Sequence, residues 1–270
     1  MDTDAIEVAR GRHSYTRAST RIPSAITLVD QLHGLRRSTF PELVVSAYLP
    51  VAAETRWGQP ADALRDLAEE RRLSLDADAR RALERELPRM REALERDWRG
   101  SRAVAVFSSL RLRIAAGLLG IVVPQFVVAR RAELRALDEE LRERPASLAV
   151  VADKEGGRIY AAVLDRVSLL AEVEALPVHH HRQGGTSAEQ WQRRQEGHAD
   201  HNLALLAHRL EAIWSARRDD FPVIRVAVPP EALEMLVSHL PSEMQARVRH
   251  QGGLPAYATD EEVERVLVDR

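Results

Sequence analysis

The sequence contains no cysteine, and lysine occurs once among its 39 basic residues, at Lys154. The lack of cysteine excludes disulfide bonds and thiolate metal sites, so nothing in the sequence indicates an oxidising compartment. Basic and acidic residues nearly balance, 39 against 41, and the net charge of −2 excludes a molecule-wide field that attracts polyanions. Any contact with nucleic acid must therefore be local.

The sequence also lacks a hydrophobic segment that could cross a membrane. Residues 1–20 carry charges throughout and have no apolar signal-peptide core, so we expect a loose tail or a short helix there. The longest apolar run, residues 114–129, contains glycine and proline and is shorter than the roughly 20 residues of a spanning helix. We expect buried strands or a core turn in this run, and a cytoplasmic protein without membrane association.

Motifs for nucleotide binding and for serine hydrolysis are missing. Neither GxGxxG nor GxxxxGK[ST] occurs, and neither Ser168 nor Ser187 lies in a GxSxG elbow. Internal repeats and low-complexity segments are absent as well. The sequence therefore predicts no cofactor.

What is present predicts an α/β protein of two domains, residues 1–145 and 146–270. Apolar content of 45% over 270 residues is enough for two ordinary cores. The charged helical pattern that ends at Pro145 indicates the boundary. The second domain is expected to be a mixed sheet with covering helices.

The first block begins with a buried strand over residues 43–51. Two helices follow, over residues 60–72 and 76–97, and Pro88 should kink or divide the second. The stretch "RAVAVFSS" then reads as another buried strand.

The second block begins with two strands around a turn at residues 154–157, where glycines permit the positive φ of a tight turn. A third strand, residues 167–175, precedes a long helical pattern over residues 187–218. "PVIRVAVP" and "PEALEMLVSHLP" predict a strand and a helix. Thr259 and Glu262 form a capping box for a last helix.

Residues 179–194, "HHHRQGGTSAEQWQRR", concentrate polar groups that a packed core does not need. Six of the ten histidines lie in residues 179–208, and His198 and His201 would share a helix face, so a zinc site is conceivable. Three adjacent histidines cannot all point at one ion, however, and no carboxylate has metal-motif spacing, so we predict no metal. For Trp191 we favour core packing over base stacking.

The segment "GGTSAEQWQRRQ", which follows a strand and opens a long helix, resembles the central domain of archaeal and eukaryotic class I release factors. It is more similar still to their bacterial relatives, in which a His/Arg-rich lead, a Gly-Gly pair, Ser and "QRR" occur in that order. The resemblance extends through "DKEGGRIY" and "VIRVAVPPEALEMLVSHLP", and so covers residues 146–270. "LVVSAYLP" and "RAVAVF" support it more weakly in the first block.

This resemblance implies a ribosome-binding protein that mimics tRNA, with its Gly-Gly loop (residues 179–186) at the peptidyl transferase centre. Glycines allow close approach to RNA, and arginines pair with phosphates. The residues implied at the peptidyl transferase centre are Gly184, Gly185, Thr186, Ser187 and Gln190. Those implied to bind rRNA are His180, His181, Arg182, Arg193 and Arg194.

Three departures limit what can be transferred from the release factors. Thr186 stands where they have the catalytic glutamine, and the nearest glutamine is Gln190. The first block contains nothing like the NIKS codon-reading motif, so stop-codon decoding is not supported. The chain also ends where the family's GTPase-contacting third domain would begin, and we expect either a shortened member or a fragment.

Three hypotheses remain. The first is a non-catalytic, stress-related factor that resembles the Balon-like hibernation factors. It would occupy the ribosomal A site and have a translational GTPase such as elongation factor Tu as a partner. The second is an enzyme, a rescue hydrolase that releases peptides from stalled peptidyl-tRNA with help from Gln190 or backbone N–H groups. The third is an α/β binding protein with no ribosomal role. Thr186 favours the first hypothesis and leaves the question of enzymatic activity open.

Overall fold

The computed structural model describes residues 24–37, 40–51, 59–98, 100–173, 188–252, 254 and 258–268, with only the backbone for residues 188–196 and 268. These residues form eight helices and nine strands arranged in two sheets. The predicted α/β class is confirmed. None of the helices in the described ranges is both long and apolar enough to span a membrane.

The first sheet consists of β1 (Val44–Pro50), β2 (Ala103–Ser108), β3 (Arg113–Leu118) and β4 (Gln125–Ala129). It is antiparallel throughout, in the order β3-β2-β1-β4. The central strands β1 and β2 are almost entirely buried, as their continuous apolar sequences predict for strands that are covered on both faces.

The helices of this part are α1 (Ala25–Arg37), α2 (Pro60–Arg72), α3 (Ala77–Leu94) and α4 (Arg135–Glu143). Side chains alternate between the two faces along β1. Val45, Ala47 and Leu49 therefore join a core with α2 and α3. Tyr48 points to the other face, into a second core that includes α1 and Leu137 of α4.

Helix α3 continues through Pro88 as one helix, so the predicted division does not occur. Met90 and Leu94 after the proline are buried against the first sheet. Before the proline, the buried carboxylate of Glu86 accepts a hydrogen bond of 2.8 Å from Ser108 Oγ. Packing on both sides holds the helix together, although an internal proline costs about 3 kcal/mol.

The apolar run over residues 114–129 supplies β3 and β4, as expected, but in the turn between them only Val122 packs against the core. Ile121 and Val123 are each 84% exposed. The reason is topological, because β3 and β4 are opposite edges of the sheet and their connection has to cross its end. The Glu140 carboxylate holds the connection by accepting hydrogen bonds from the N–H groups of Leu119 (3.3 Å) and Gly120 (2.9 Å).

The second sheet consists of β5 (Ser147–Ala152), β6 (Gly157–Val163), β7 (Arg166–Val173), β8 (Val223–Ala227) and β9 (Val248–His250). Its order is β7-β6-β5-β8-β9. The β5-β8 and β8-β9 pairs are parallel and the other pairs are antiparallel. The predicted mixed sheet is thus confirmed, while the short strand β9 has no counterpart in the sequence prediction.

The covering helices of the second sheet are α5 (Ala188–Arg217), α6 (Pro230–Ser238), α7 (Ser242–Gln245) and α8 (Asp260–Val268). Helices α5 and α6 pack on one face and α8 on the other. The capping box of α8 forms as predicted, because Thr259 N donates to Glu262 Oε2 (2.7 Å) and Glu262 N donates to Thr259 Oγ1 (3.3 Å).

Helix α1, which the sequence analysis did not predict, lies against β6 and β7 of the second sheet. Its buried residues include Leu28 and Leu32, and Ala25 N donates a 2.9 Å hydrogen bond to Ser168 Oγ in β7. One hydrophobic core accordingly contains residues from both sheets. The division at residue 146 stays a prediction.

Candidate functional site

The predicted site lies in the connection between β7 and α5 and in the first turns of α5. Its loop residues are outside the described part of the chain. Their predicted protrusion from the domain therefore stays a prediction. These residues are His180, His181, Arg182, Gly184, Gly185, Thr186 and Ser187.

Gln190, Arg193 and Arg194 do fall in a described element, since the backbone of α5 begins at Ala188. These three positions share one helix face with Gly197, because residues three, four and seven apart lie along the same side of a helix. Gly197 is exposed, and a Cβ placed on it would meet no atom within 4 Å. The face that carries the predicted RNA-binding positions is therefore open at Gly197.

The described buried residues of α5 lie further along the helix. Ala199 is its first described residue that is buried, and an apolar stripe continues from there against β6, β7 and α6. The eleven residues Ala188–His198 come before this anchor and span about 16 Å at 1.5 Å per residue. The stripe has the helical spacing that the sequence indicated and consists of Ala199, Leu203, Leu206, Ala207, Leu210 and Trp214.

The turn between β5 and β6 helps to hold the buried stripe of α5 in place. Asp153 Oδ1 accepts hydrogen bonds from the N–H groups of Glu155 (2.8 Å) and Gly156 (3.3 Å), which fixes the shape of the turn. Asn202 of α5, only 3% exposed, donates from Nδ2 to the carbonyl oxygens of Lys154 (3.4 Å) and Glu155 (3.2 Å). A polar side chain in the apolar stripe thus joins the helix to the turn.

Gly157 has a different role from the one that the sequence predicted. Among the described glycines, positive φ occurs only at Gly100 and Gly252, so the turn does not need the left-handed conformation. A Cβ on Gly157 would lie 2.6 Å from Ala152 Cβ and 2.7 Å from Leu206 Cδ2. Gly157 is therefore required because α5 passes close to the start of β6.

Asn202 and Gly157 both support the site, and neither was predicted from the sequence. The signal for Asn202 was an amide in an otherwise apolar stripe, where a buried polar group needs hydrogen-bond partners. For Gly157 no local signal separates a turn glycine from one that allows close packing, because the helix it meets is about fifty residues away in the sequence.

His198 and His201 are both exposed on α5. Within the described ranges, no three His, Asp or Glu side chains come together in an arrangement that could hold a metal ion. The neighbouring Asp200 is engaged instead with α6, since its Oδ1 lies 2.8 Å from His239 Nε2. This contact ties α5 to the end of α6, close to where the helix enters the core.

Comparison with known proteins gives one family match. The sequence model of the bacterial archaeo-eukaryotic release factor family 10 matches residues 133–269, which is 137 of 270 residues. Two solved structures are similar at 16% identity and a TM-score of 0.33, the crystal structure of the archaeal translation termination factor aRF1 and one described as an archaeal protein. The aligned regions cover 92% of this chain and 73% of the first structure, and 89% of this chain and 68% of the second. No curated protein matches.

Proposed function

Because the chain belongs to the bacterial archaeo-eukaryotic release factor family 10, we propose that it binds the ribosome and occupies the vacant A site as a non-catalytic hibernation factor. In this proposal the Gly-Gly loop reaches the peptidyl transferase centre, where Gly184 and Gly185 allow the backbone to approach RNA without side-chain clashes. The observation that carries the proposal is Thr186, which follows the glycine pair in a member of a release-factor family.

Thr186 argues against peptide release for a chemical reason. Ester hydrolysis requires a water held against the carbonyl carbon and donors that stabilise the developing oxyanion. A threonine side chain is shorter than glutamine and has no amide to offer to either task. A Gly-Gly loop that ends in threonine can therefore fill the catalytic centre without promoting the reaction.

Helix α5 supports the proposal by its shape. The described buried residues of α5 begin at Ala199, and the backbone of Ala188–His198, about 16 Å long, is the stem between them and the Gly-Gly loop. Arg193 and Arg194 lie on this stem, on the face that is open at Gly197. Arginine side chains at these positions suit contacts with rRNA phosphates.

The remaining partners follow from the same proposal. His180, His181 and Arg182 precede the glycine pair and supply further rRNA contacts. A translational GTPase such as elongation factor Tu delivers the protein to the A site, and the activity belongs to the cytoplasm of stressed cells.

Sedimentation with ribosomes tests the proposal. Native protein should cosediment with empty ribosomes from starved cells more than with translating ribosomes from growing cells. Reversing the charges of Arg182, Arg193 and Arg194 to glutamate should weaken binding, because each lost phosphate contact removes counterion release. A matched control carries the same three reversals at exposed arginines elsewhere, Arg71, Arg91 and Arg218. Absence of native protein from both ribosome pools would refute the proposal.

The alternative is a rescue hydrolase, and Gln190 is the residue that favours it, since it lies in the first turn of α5. Ribosomes carrying labelled peptidyl-tRNA separate the two functions. We expect negligible release by the native protein. Robust release that is lost when Gly184 and Gly185 are both changed to valine would establish the hydrolase instead. Enrichment on stalled nascent-chain complexes would point the same way.

A further inference from the structure

Four exposed arginines lie outside the predicted site, at the end of α1 and around the connection from β4 to α4. We call them the arginine patch, and they are Arg37, Arg130, Arg131 and Arg135. None of the four side chains forms an ion pair with a carboxylate of the described residues. Within the described part of the chain, no carboxylate compensates these four charges.

Two contacts bring these arginines together from distant parts of the sequence. Phe40 N donates to the carbonyl oxygen of Arg130 at 3.3 Å. Phe40 is three residues after the end of α1, and Arg130 directly follows β4, so this hydrogen bond brings the ends of the two elements together. The guanidinium of Arg36 meets Asp138 in the first turn of α4 at 2.7 Å. Arg135, three residues before Asp138, lies on the same side of that helix.

The segment that carries the patch is held in place by buried groups. Ser46 and Tyr48, each 1% exposed, bind Glu133 from strand β1. Ser46 Oγ accepts from Glu133 N at 3.1 Å, and Tyr48 Oη donates to Glu133 O at 2.7 Å. The Glu133 carboxylate accepts from Arg135 N at 3.3 Å. The arginines are thus presented from a fixed backbone, which reduces the entropy lost on binding.

We propose that the arginine patch binds the phosphate backbone of structured RNA, as a second contact separate from the Gly-Gly loop. Planar guanidinium groups bind phosphate oxygens through pairs of N–H donors. None of the exposed large hydrophobic residues of the described chain belongs to α1 or to residues 130–135, so the segments that carry the patch supply no large apolar anchor for a membrane or a protein interface. With a net charge of −2 the chain offers no long-range attraction, and the binding rests on local phosphate contacts.

That this RNA is ribosomal rests on the proposed function, whereas binding of RNA itself does not. The test uses full-length protein and a labelled RNA hairpin in a fluorescence titration over a range of salt concentrations. The patch variant combines Arg130→Gln, Arg131→Gln and Arg135→Gln. A control with equal change of charge combines Arg71→Gln, Arg91→Gln and Arg218→Gln, all at exposed positions.

We expect the patch variant to bind the hairpin about tenfold or more weakly at about 100 mM salt, with a salt slope lower by about two, because each phosphate contact contributes about 0.7–0.9 to that slope. The control should bind like native protein. Glu139→Gln, which removes an exposed carboxylate one turn after Arg135, should strengthen binding. Equal binding by the patch and control variants would overturn the inference, as would binding to anionic lipid vesicles but not to RNA.

Ribosome sedimentation of the same variants separates this inference from the proposed function. If native protein misses ribosomes yet binds the hairpin through the patch, the ribosomal function fails and the inference stands. If native and patch variant cosediment equally with ribosomes and neither binds the hairpin, the inference fails and the ribosomal function stands.

Discussion

Asp165 joins the two sheets through a buried ionic contact, and replacing it with asparagine should destabilise the whole protein. It lies in the tight turn between β6 and β7, beside Leu164, whose φ is 53°. Its carboxylate pairs with Arg96 from the connection between α3 and β2, and its other oxygen lies 3.6 Å from Arg166 Nε. Gly117 of β3 has no room for a Cβ at this junction, because Ser101 and Asp165 occupy the space.

The magnitude follows from how deeply these charges are buried. The side chains of Arg96, Asp165 and Arg166 are 15%, 12% and 8% exposed. Burial lowers the pKa of Arg166 to about 10, and it also lowers that of Arg96, although Asp165 opposes both shifts. Removing one partner of a buried pair typically costs 3–5 kcal/mol because the other charge is left uncompensated.

We expect a loss at the lower end of that range, about 3 kcal/mol in the free energy of unfolding, because both arginines keep other contacts. Arg96 stacks on the Trp98 ring at 3.5 Å, and Arg166 donates to the carbonyl oxygen of Ala115 at 3.1 Å. For a protein of this size such a loss lowers Tm by about 6–12 °C. Asparagine preserves the shape and turn preference of aspartate, so the change isolates the charge.

Urea and thermal unfolding followed by circular dichroism measure the effect. The matched control is Glu84→Ala, which removes an exposed partner of Arg72 at 3.2 Å and should cost about 0.5 kcal/mol or less. If Asp165→Asn unfolds within about 0.5 kcal/mol of that control, the junction does not depend on charge compensation and the reasoning is refuted.

Three further predictions concern packing, pH and helix capping. Gly157→Ala should destabilise the protein by about 1–3 kcal/mol, because the added Cβ clashes with α5. Gly197→Ala, in open space on α5, should stabilise it by about 1 kcal/mol. Equal urea midpoints for the two variants would contradict this. Burial raises the pKa of Tyr48 above its ordinary value of 10, so the stability linked to this phenol is fully present below pH 10 and is lost as the pH rises through the higher folded-state pKa. The urea midpoint should therefore fall less steeply above pH 10 in Tyr48→Phe than in native protein. The same pH dependence of the midpoint in both proteins would contradict this prediction. Thr259→Ala should cost about 1 kcal/mol and speed hydrogen exchange in α8, because both hydrogen bonds of the Thr259 hydroxyl, from Glu262 N and to the Glu262 carboxylate, are lost; unchanged exchange would show that α8 does not depend on its cap.

Much of the local structure could be predicted because its cause is local. The continuous apolar sequences of β1 and β2, the periodic apolar stripe of α5 and the capping box at Thr259 are each contained in fewer than about thirty consecutive residues. The Gly-Gly loop could be recognised for the same reason, since glycines, arginines and a following helix occur together.

Tertiary structure decided what depends on residues far apart in the sequence. Helix α1 is held by its packing on β6 and β7, and β9 is a three-residue strand that pairs with the edge that β8 offers. Pro88 stays inside a helix because Met90 and Glu86 are held on either side of it.

The amino-acid sequence by itself determined the kind of protein this is: an α/β chain whose Gly-Gly loop opens a long helix and ends in Thr186, within a release-factor family. Only the tertiary structure decided why Gly157 is glycine, what Asn202 holds, and how Phe40, which follows α1, comes to pair with Arg130. The physical reason is the range of the interactions. Backbone propensity and periodic burial act between neighbours in the chain, whereas close packing and charge compensation depend on which surfaces the fold brings together.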